Sequence, residues 1–179
     1  MKAYEQSRMI GEHANESDCW AEFDATMQTL EQYFVVHREV TGWYTQGRPH
    51  CQPKRPRIDR IISPREPLRA LGWDLGPVGV ECKRSHEKAG PAISQAIDYQ
   101  RALFPISGSL TVSLEWVFIW PMEDPKGDIA SIMSNQRIGF MSPLADGITF
   151  GCGDGFIQRV TTSGVRYRRP QCGYKVGSR

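Results

Sequence analysis

The sequence lacks any long uncharged apolar run, and its N-terminal residues are largely polar. A membrane-spanning helix needs about 20 consecutive apolar residues, and a secretory signal needs a shorter apolar core behind a basic start. Neither pattern is present. The sequence therefore predicts a soluble, cytoplasmic protein that has no membrane partner.

Closely spaced cysteines and histidines are also missing. The five cysteines are an odd number at irregular intervals, and the four histidines are equally scattered. Disulfide frameworks and structural zinc sites need ordered pairs of these residues. We therefore expect reduced thiols and no structural metal.

Acidic residues are scarce in two segments, although the net charge of +2 hides this. Residues 48–69 carry seven basic side chains and two acidic ones, and no acid follows Asp154, where six basic residues remain. Two such segments are typical of proteins that bind a polyanion. A solvated basic surface is the alternative explanation.

The length of 179 residues predicts a single α/β domain. Trp20, Phe23, Met27 and Leu30 recur at helical spacing, which predicts a helix that begins near residues 15–18 and is capped by Asn15 or Ser17. The remaining pattern predicts a mixed central sheet flanked by helices. The expected strands are 34–40, 57–62, 78–83, 110–120 and 147–150, the expected helices are 92–104 and 128–135, and a hairpin is expected at 156–167.

The most informative pattern is Glu81-Cys82-Lys83 on one predicted strand, with Asp59 on the strand before it. Alternate side chains of a strand share a face, so Glu81 and Lys83 point the same way. Two neighbouring strands would then present two carboxylates and an amine to one divalent cation. The expected ligands are Asp59, Glu81 and the backbone carbonyl of Cys82, because Mg²⁺ and Mn²⁺ prefer oxygen ligands.

This combination of groups suits phosphodiester hydrolysis. A bound cation offsets the charge that develops on the phosphate and lowers the pKa of a coordinated water. Lys83 would orient or help to deprotonate the attacking water, or would stabilise the phosphorane electrostatically. The sequence leaves these roles open.

The acid followed by Glu-x-Lys resembles the motif of the PD-(D/E)XK nuclease superfamily, also called restriction-endonuclease-like. The proline that precedes the family's aspartate is absent, since Ile58 occupies that position. The resemblance implies a restriction-endonuclease-like core over about residues 15–151. A basic C-terminal β-hairpin extension over 152–179 has no counterpart in it.

Gln95 and Tyr99 add a second match, because they resemble the Gln-x3-Tyr motif of the branch that includes RecB-type and phage lambda exonucleases. Positions four apart share one face of a helix. The resemblance implies that both side chains contact the substrate or the metal-bound water. Many family members also place an acid of the first helix at the metal, and Glu16 or Glu22 would fill that place, with Glu16 preferred by its position on the apolar stripe.

DNA is the expected partner, and the basic residues are its expected contacts. The candidates are Lys54, Arg55, Arg57 and Arg60 beside Asp59, and Arg166, Arg168 and Arg169 near the C-terminus.

The resemblance implies a Mg²⁺- or Mn²⁺-dependent deoxyribonuclease of DNA repair, recombination or phage DNA processing. Exonuclease and structure-specific endonuclease activity both remain open, and cleavage of branched DNA would imply a homodimer. The alternative function is a catalytically inactive module of the same fold that binds nucleic acid or a protein partner.

Overall fold

The computed structural model describes residues 15–45, 55–83, 89–152 and 157–168. Within these ranges lie four helices, which we number α1 (Glu16–Gln28), α2 (Glu66–Ala70), α3 (Ala89–Tyr99) and α4 (Asp128–Asn135). Helix α1 begins as predicted, because the side chain of Asn15 accepts a hydrogen bond from the backbone N–H of Asp18 at 2.9 Å. Among the described residues, no helix has the length and apolar character needed to cross a membrane.

The described strands form two sheets. Strands β1 (Phe34–Thr41), β3 (Arg57–Pro64), β4 (Val78–Cys82), β7 (Val117–Trp120), β8 (Ile138–Leu144), β9 (Gly147–Cys152), β10 (Ile157–Thr161) and β11 (Gly164–Arg168) make an eight-stranded sheet in that order. Strands β2 (Trp43–Tyr44), β5 (Ala102–Ser107) and β6 (Leu110–Ser113) make a three-stranded sheet in that order.

The large sheet is mixed. Strand β7 runs parallel to its neighbours β4 and β8, and the other neighbouring strands pair antiparallel. The chain is therefore a mixed α/β protein, as the sequence predicts.

Each face of the large sheet has its own apolar layer. Phe23 and Met27 of α1 pack against Trp120 and Phe150 on one face, and Phe23 meets the Trp120 ring edge-on at 5.3 Å. On the other face, Ala96 of α3 and Met133 of α4 pack with side chains of β3, β7 and β8. Burial on both faces explains why β7 and β8 read as continuous apolar runs rather than alternating ones.

The predicted helix 92–104 is wrong at its C-terminal end. Helix α3 ends at Tyr99, and residues 102–107 form β5 instead. Ala102 and Phe104 are buried while Leu103 between them is only half-buried, which is the alternation of a strand with one face on the core. Pairing with β2 and β6 outweighs the helical propensity of these residues.

The predicted strand 110–120 is also wrong, because it is two strands in different sheets. Strand β6 ends at Ser113, the buried Leu114 follows, and β7 begins at Val117. Strand β8 was not predicted from the sequence, and β3 continues to Pro64 instead of stopping at Ile62. The predicted strands at 34–40, 78–83 and 147–150 and the helix at 128–135 are confirmed, with boundaries that differ by a few residues.

Candidate active site

The pairing of β3 with β4 brings the two predicted carboxylates together. The strands run antiparallel with Arg60 opposite Val80 and Ile61 opposite Gly79. Asp59 directly precedes Arg60 on β3 and Glu81 directly follows Val80 on β4, so the two acids lie at the same end of the paired segment. The negative charge of Asp59 raises the pKa of Glu81, as expected for two carboxylates that lie close together.

Asp59 is fixed by the backbone of the neighbouring strand. Its Oδ2 accepts a hydrogen bond from the N–H of Cys82 at 2.8 Å. Burial raises the pKa of Asp59, and the Cys82 N–H and the charge of Lys83 offset part of that rise. The peptide of Cys82 therefore lies directly against the Asp59 carboxylate.

Glu81 is buried and forms an ion pair with Lys83. The residue is 2 % exposed, and its Oε1 lies 2.8 Å from the Nζ of Lys83. The pKa of Glu81 is raised to about 7, first by burial and then by the negative charge of Asp59, while the hydrogen bond and charge of Lys83 act in the opposite direction. Burial disfavours the charged form of Lys83, but the hydrogen bond to Glu81 and its charge outweigh that effect, so the pKa of Lys83 is raised.

The second carboxylate oxygen of Glu81 bears on whether these residues fit a cation. Its Oε2 is buried and makes no hydrogen bond to any described group. A buried carboxylate oxygen without a partner is costly, and a bound cation would remove that cost. Asp59, Glu81 and the adjacent Cys82 carbonyl are oxygen donors of the kind that Mg²⁺ and Mn²⁺ bind, so the donor set fits such an ion. No group of three or more His, Cys, Asp or Glu side chains in the described ranges is placed to hold a metal.

Tyr99 lies beside the two acids, and Gln95 lies one turn earlier on the same helix. The Tyr99 hydroxyl donates its single proton to the backbone carbonyl of Arg57 at 3.0 Å. Burial and the nearby charge of Glu81 raise the pKa of Tyr99. Gln95 is half-buried on α3.

The first helix contributes Glu16 to this cluster. Its Oε1 lies 3.6 Å from the Nζ of Lys83, and its side chain is half-exposed. Glu22 is half-buried further along α1, and its backbone carbonyl accepts a hydrogen bond from Thr26. Glu16 therefore contacts the cluster through Lys83.

Trp20, which the sequence analysis used only as a core residue, also lies at the site. Its indole is next to Asp59, and the guanidinium of Arg60 lies 5.6 Å from the centre of its ring. Its Nε1 is buried without a hydrogen-bond partner among the described groups. The spacing of four residues from Glu16 is the signal that was available, because it puts both side chains on one face of α1.

Arg60, which the sequence predicts as a DNA contact, is buried in this structure. Arg60 is 4 % exposed, and its Nε and Nη2 bind the two carboxylate oxygens of Asp24 at 2.9 and 3.0 Å. Its Nη1 donates to the carbonyl of Asp59 at 2.7 Å. The guanidinium therefore links α1 to β3 next to Asp59.

The other predicted basic contacts have different positions. Arg55 and Arg57 are exposed before Asp59, and Arg57 lies 3.5 Å from Glu39. Arg166 is exposed on β11, while Arg168 is in the same strand and its side chain is not described. Lys54 and Arg169 lie outside the described residues.

Comparisons with protein-family models, with curated proteins and with solved structures each find no match for this chain.

Proposed function

We propose that this chain is a metal-dependent deoxyribonuclease with a restriction-endonuclease-like core, in which Asp59, Glu81 and Lys83 form the catalytic centre. The observation that carries the proposal is the buried Glu81 carboxylate, which binds Lys83 through Oε1 at 2.8 Å and has an Oε2 without a hydrogen-bond partner among the described groups. A buried carboxylate oxygen without a hydrogen-bond partner is unfavourable, and a bound cation would satisfy it.

Asp59, Glu81 and the carbonyl of Cys82 would hold Mg²⁺ or Mn²⁺. The bound ion supplies charge stabilisation at the phosphate and a water of lowered pKa. The Cys82 N–H keeps the Asp59 carboxylate in place through one oxygen. A carboxylate that is already oriented loses less entropy on binding a ligand than a freely rotating one.

Lys83 acts as a fixed positive charge in this proposal. Its ammonium is held between Glu81 at 2.8 Å and Glu16 at 3.6 Å. The ion pairs raise the pKa of Lys83 and keep it protonated, and an ammonium has no lone pair with which to accept a proton. This favours electrostatic stabilisation of the reacting phosphate over a role as general base. Tyr99 holds the backbone of β3 through the Arg57 carbonyl and so supports the strand that carries Asp59.

The direct test is cleavage of end-labelled DNA by the purified chain in Mg²⁺ or Mn²⁺. Glu81→Gln, Asp59→Asn and Lys83→Met should each lower the cleavage rate by about 100-fold or more. Glu115→Gln and Lys126→Met change the same residue types on the exposed surface and should cut like the parent chain. DNA binding without cutting in any divalent ion would instead support the inactive binding module.

The type of substrate needs a separate comparison. Blunt and recessed ends, flaps and four-way junctions, cut side by side, distinguish an exonuclease from a structure-specific endonuclease. Cleavage of junctions by a chain of dimeric mass would support the homodimer, because symmetric cuts need two active sites. Cleavage of single ends by a monomer would support the exonuclease.

A further inference from the structure

Four polar side chains form a row across the adjacent strands β8, β9, β10 and β11 of the large sheet. Ser142 of β8 lies opposite Thr149 of β9, Thr149 lies opposite Arg159 of β10, and Arg159 lies opposite Arg166 of β11. Directly opposite residues share a face, so the four side chains form one continuous row. We call these four residues the arginine row.

The two arginines of the row lie in an arrangement that is unfavourable by itself. Like charges directly opposite on neighbouring strands destabilise a sheet. Both Arg159 and Arg166 are exposed, and neither forms an ion pair with an acid in the described part of the chain. A bound anion between the two guanidinium groups would remove the repulsion, and guanidinium matches phosphate geometry.

Thr149 gives a second and independent indication of a ligand. It is 5 % exposed, and its Oγ1 is buried with no hydrogen-bond partner among the described groups. Leaving a buried hydroxyl without a hydrogen-bond partner is unfavourable. The Cα of Thr149 lies in register with that of Arg159 on the neighbouring strand, so the buried hydroxyl and the arginine are on the same face of the sheet.

The arginine row lies on the same face as the acidic cluster. Glu81 pairs in register with Ile119, Ile119 with Phe140, and Phe140 with Gly151. The side chains of Glu81, Ile119 and Phe140 therefore point to one side of the sheet, and Gly151 continues that row of positions. Ser142 and Thr149 are two residues beyond Phe140 and Gly151 and face the same side. Four strand spacings separate β4 from β10, or about 19 Å along the sheet, and helices α3 and α4 cover β7 and β8 in between.

We propose that the arginine row binds backbone phosphates of a nucleic acid. The proposal rests on the proposed function for the identity of the polyanion, but it requires no catalysis. Arg166 is among the DNA contacts predicted from the sequence, whereas Ser142, Thr149 and Arg159 are not. Arg159 and Arg166 supply the charge, and Thr149 supplies a directed hydrogen bond.

The test measures binding of a fluorescent oligonucleotide of about twenty nucleotides, which exceeds the 19 Å span, by anisotropy in EDTA across a salt series. EDTA prevents cleavage, so binding is scored whether or not the chain is a nuclease. Arg159→Gln and Arg166→Gln should each reduce the slope of log affinity against log salt by about 0.9 on duplex or about 0.7 on a single strand. Arg101→Gln removes an equal charge near the C-terminal end of α3 and should leave the slope unchanged.

Thr149→Val separates a ligand contact from a structural hydroxyl. The variant keeps the shape of the side chain, so it should unfold at the parent temperature or above it while binding the oligonucleotide more weakly.

Parent affinity and salt slope in both arginine variants would overturn the proposal, and so would binding of heparin without binding of oligonucleotide. Loss of binding in the arginine variants of a chain that never cuts DNA would support the row and reject the nuclease. Unchanged binding by the arginine variants of a chain that does cut DNA would support the nuclease and reject the arginine row.

Discussion

The Nζ of Lys83 and the Oε1 of Glu81 lie 2.8 Å apart at the end of β4, and the Glu81 residue is only 2 % exposed. A carboxylate buried this deeply needs a partner for each oxygen. Lys83 satisfies one oxygen, and the other has no hydrogen-bond partner among the described groups. We therefore expect the free energy of unfolding to depend on pH and on a bound divalent metal ion.

The metal-free protein should become less stable as the pH rises from about 4.5 to about 7. Burial raises the pKa of Glu81 from 4.5 to about 7, so the folded state holds a proton that the unfolded state has released. The free energy of unfolding then falls by at most about 1.4 kcal/mol per pH unit from this group. Asp59, whose pKa is also raised, adds a change of the same sign. Urea unfolding in EDTA across this range measures the slope.

Glu81→Gln is the variant that tests this pH dependence. A glutamine cannot ionise, so the slope between pH 4.5 and 7 should become clearly flatter. Glu115→Gln removes an exposed carboxylate and should keep the parent slope. An equal slope in Glu81→Gln and the parent would show that the buried carboxyl does not titrate in this range.

Mg²⁺ or Mn²⁺ should raise the thermal unfolding temperature of the parent chain at pH 8. A ligand that binds only the folded state stabilises it by about 2.7 kcal/mol at 100 times its Kd. Glu81→Gln and Asp59→Asn should lose most of this gain because each removes a proposed ligand. Differential scanning fluorimetry with a metal titration gives the result without any DNA. Equal shifts in the parent and both variants would place the bound ion elsewhere.

Tyr99→Phe should lower stability by about 1 kcal/mol. The variant loses the hydrogen bond from the Tyr99 hydroxyl to the Arg57 carbonyl at 3.0 Å and leaves that carbonyl without its donor. Tyr33→Phe removes a hydroxyl from another buried tyrosine and serves as the control. Denaturant unfolding at fixed pH compares the two, and a larger loss in Tyr33→Phe would contradict this assignment.

Arg60→Gln should be far more destabilising than Arg38→Gln, although both arginines bind Asp24. Arg60 has a side chain that is 5 % exposed, whereas that of Arg38 is 67 % exposed. Breaking a buried pair leaves an uncompensated charge and costs about 3–5 kcal/mol, while an exposed pair contributes about 0.2–1 kcal/mol. A double-mutant cycle with Asp24→Asn measures each coupling. Similar small losses in both arginine variants would contradict the buried pairing.

The elements around the site were predictable because their signals are local. Asn15 caps a helix whose apolar stripe is visible in the sequence, and β4 is a short β-branched run that ends near the Glu-x-Lys triplet. Alternation along a strand is enough to set Glu81 and Lys83 on one side.

Other elements were not predictable because their patterns are ambiguous. Residues 102–104 continue an apolar helix in sequence, yet they pair with β2 and β6 as a strand. Short apolar runs do not separate a strand from a buried helix, and partners that are distant in sequence decide between them. Arg60 shows the same limit for side chains, since its partner Asp24 is on another element.

The amino-acid sequence by itself determined the chemistry available to this protein, namely two acids and a lysine at strand spacing, a polar and aromatic helix, and basic segments on either side. Local spacing is enough for this, because the repeat of a strand or a helix fixes which side chains share a face. Only the tertiary structure decided which charges are buried and which meet. It paired Arg60 with Asp24, left an oxygen of Glu81 without a hydrogen-bond partner among the described groups, and aligned Thr149 with Arg159 and Arg166. Burial and strand register depend on contacts between distant segments, and those contacts have no local signal in the chain.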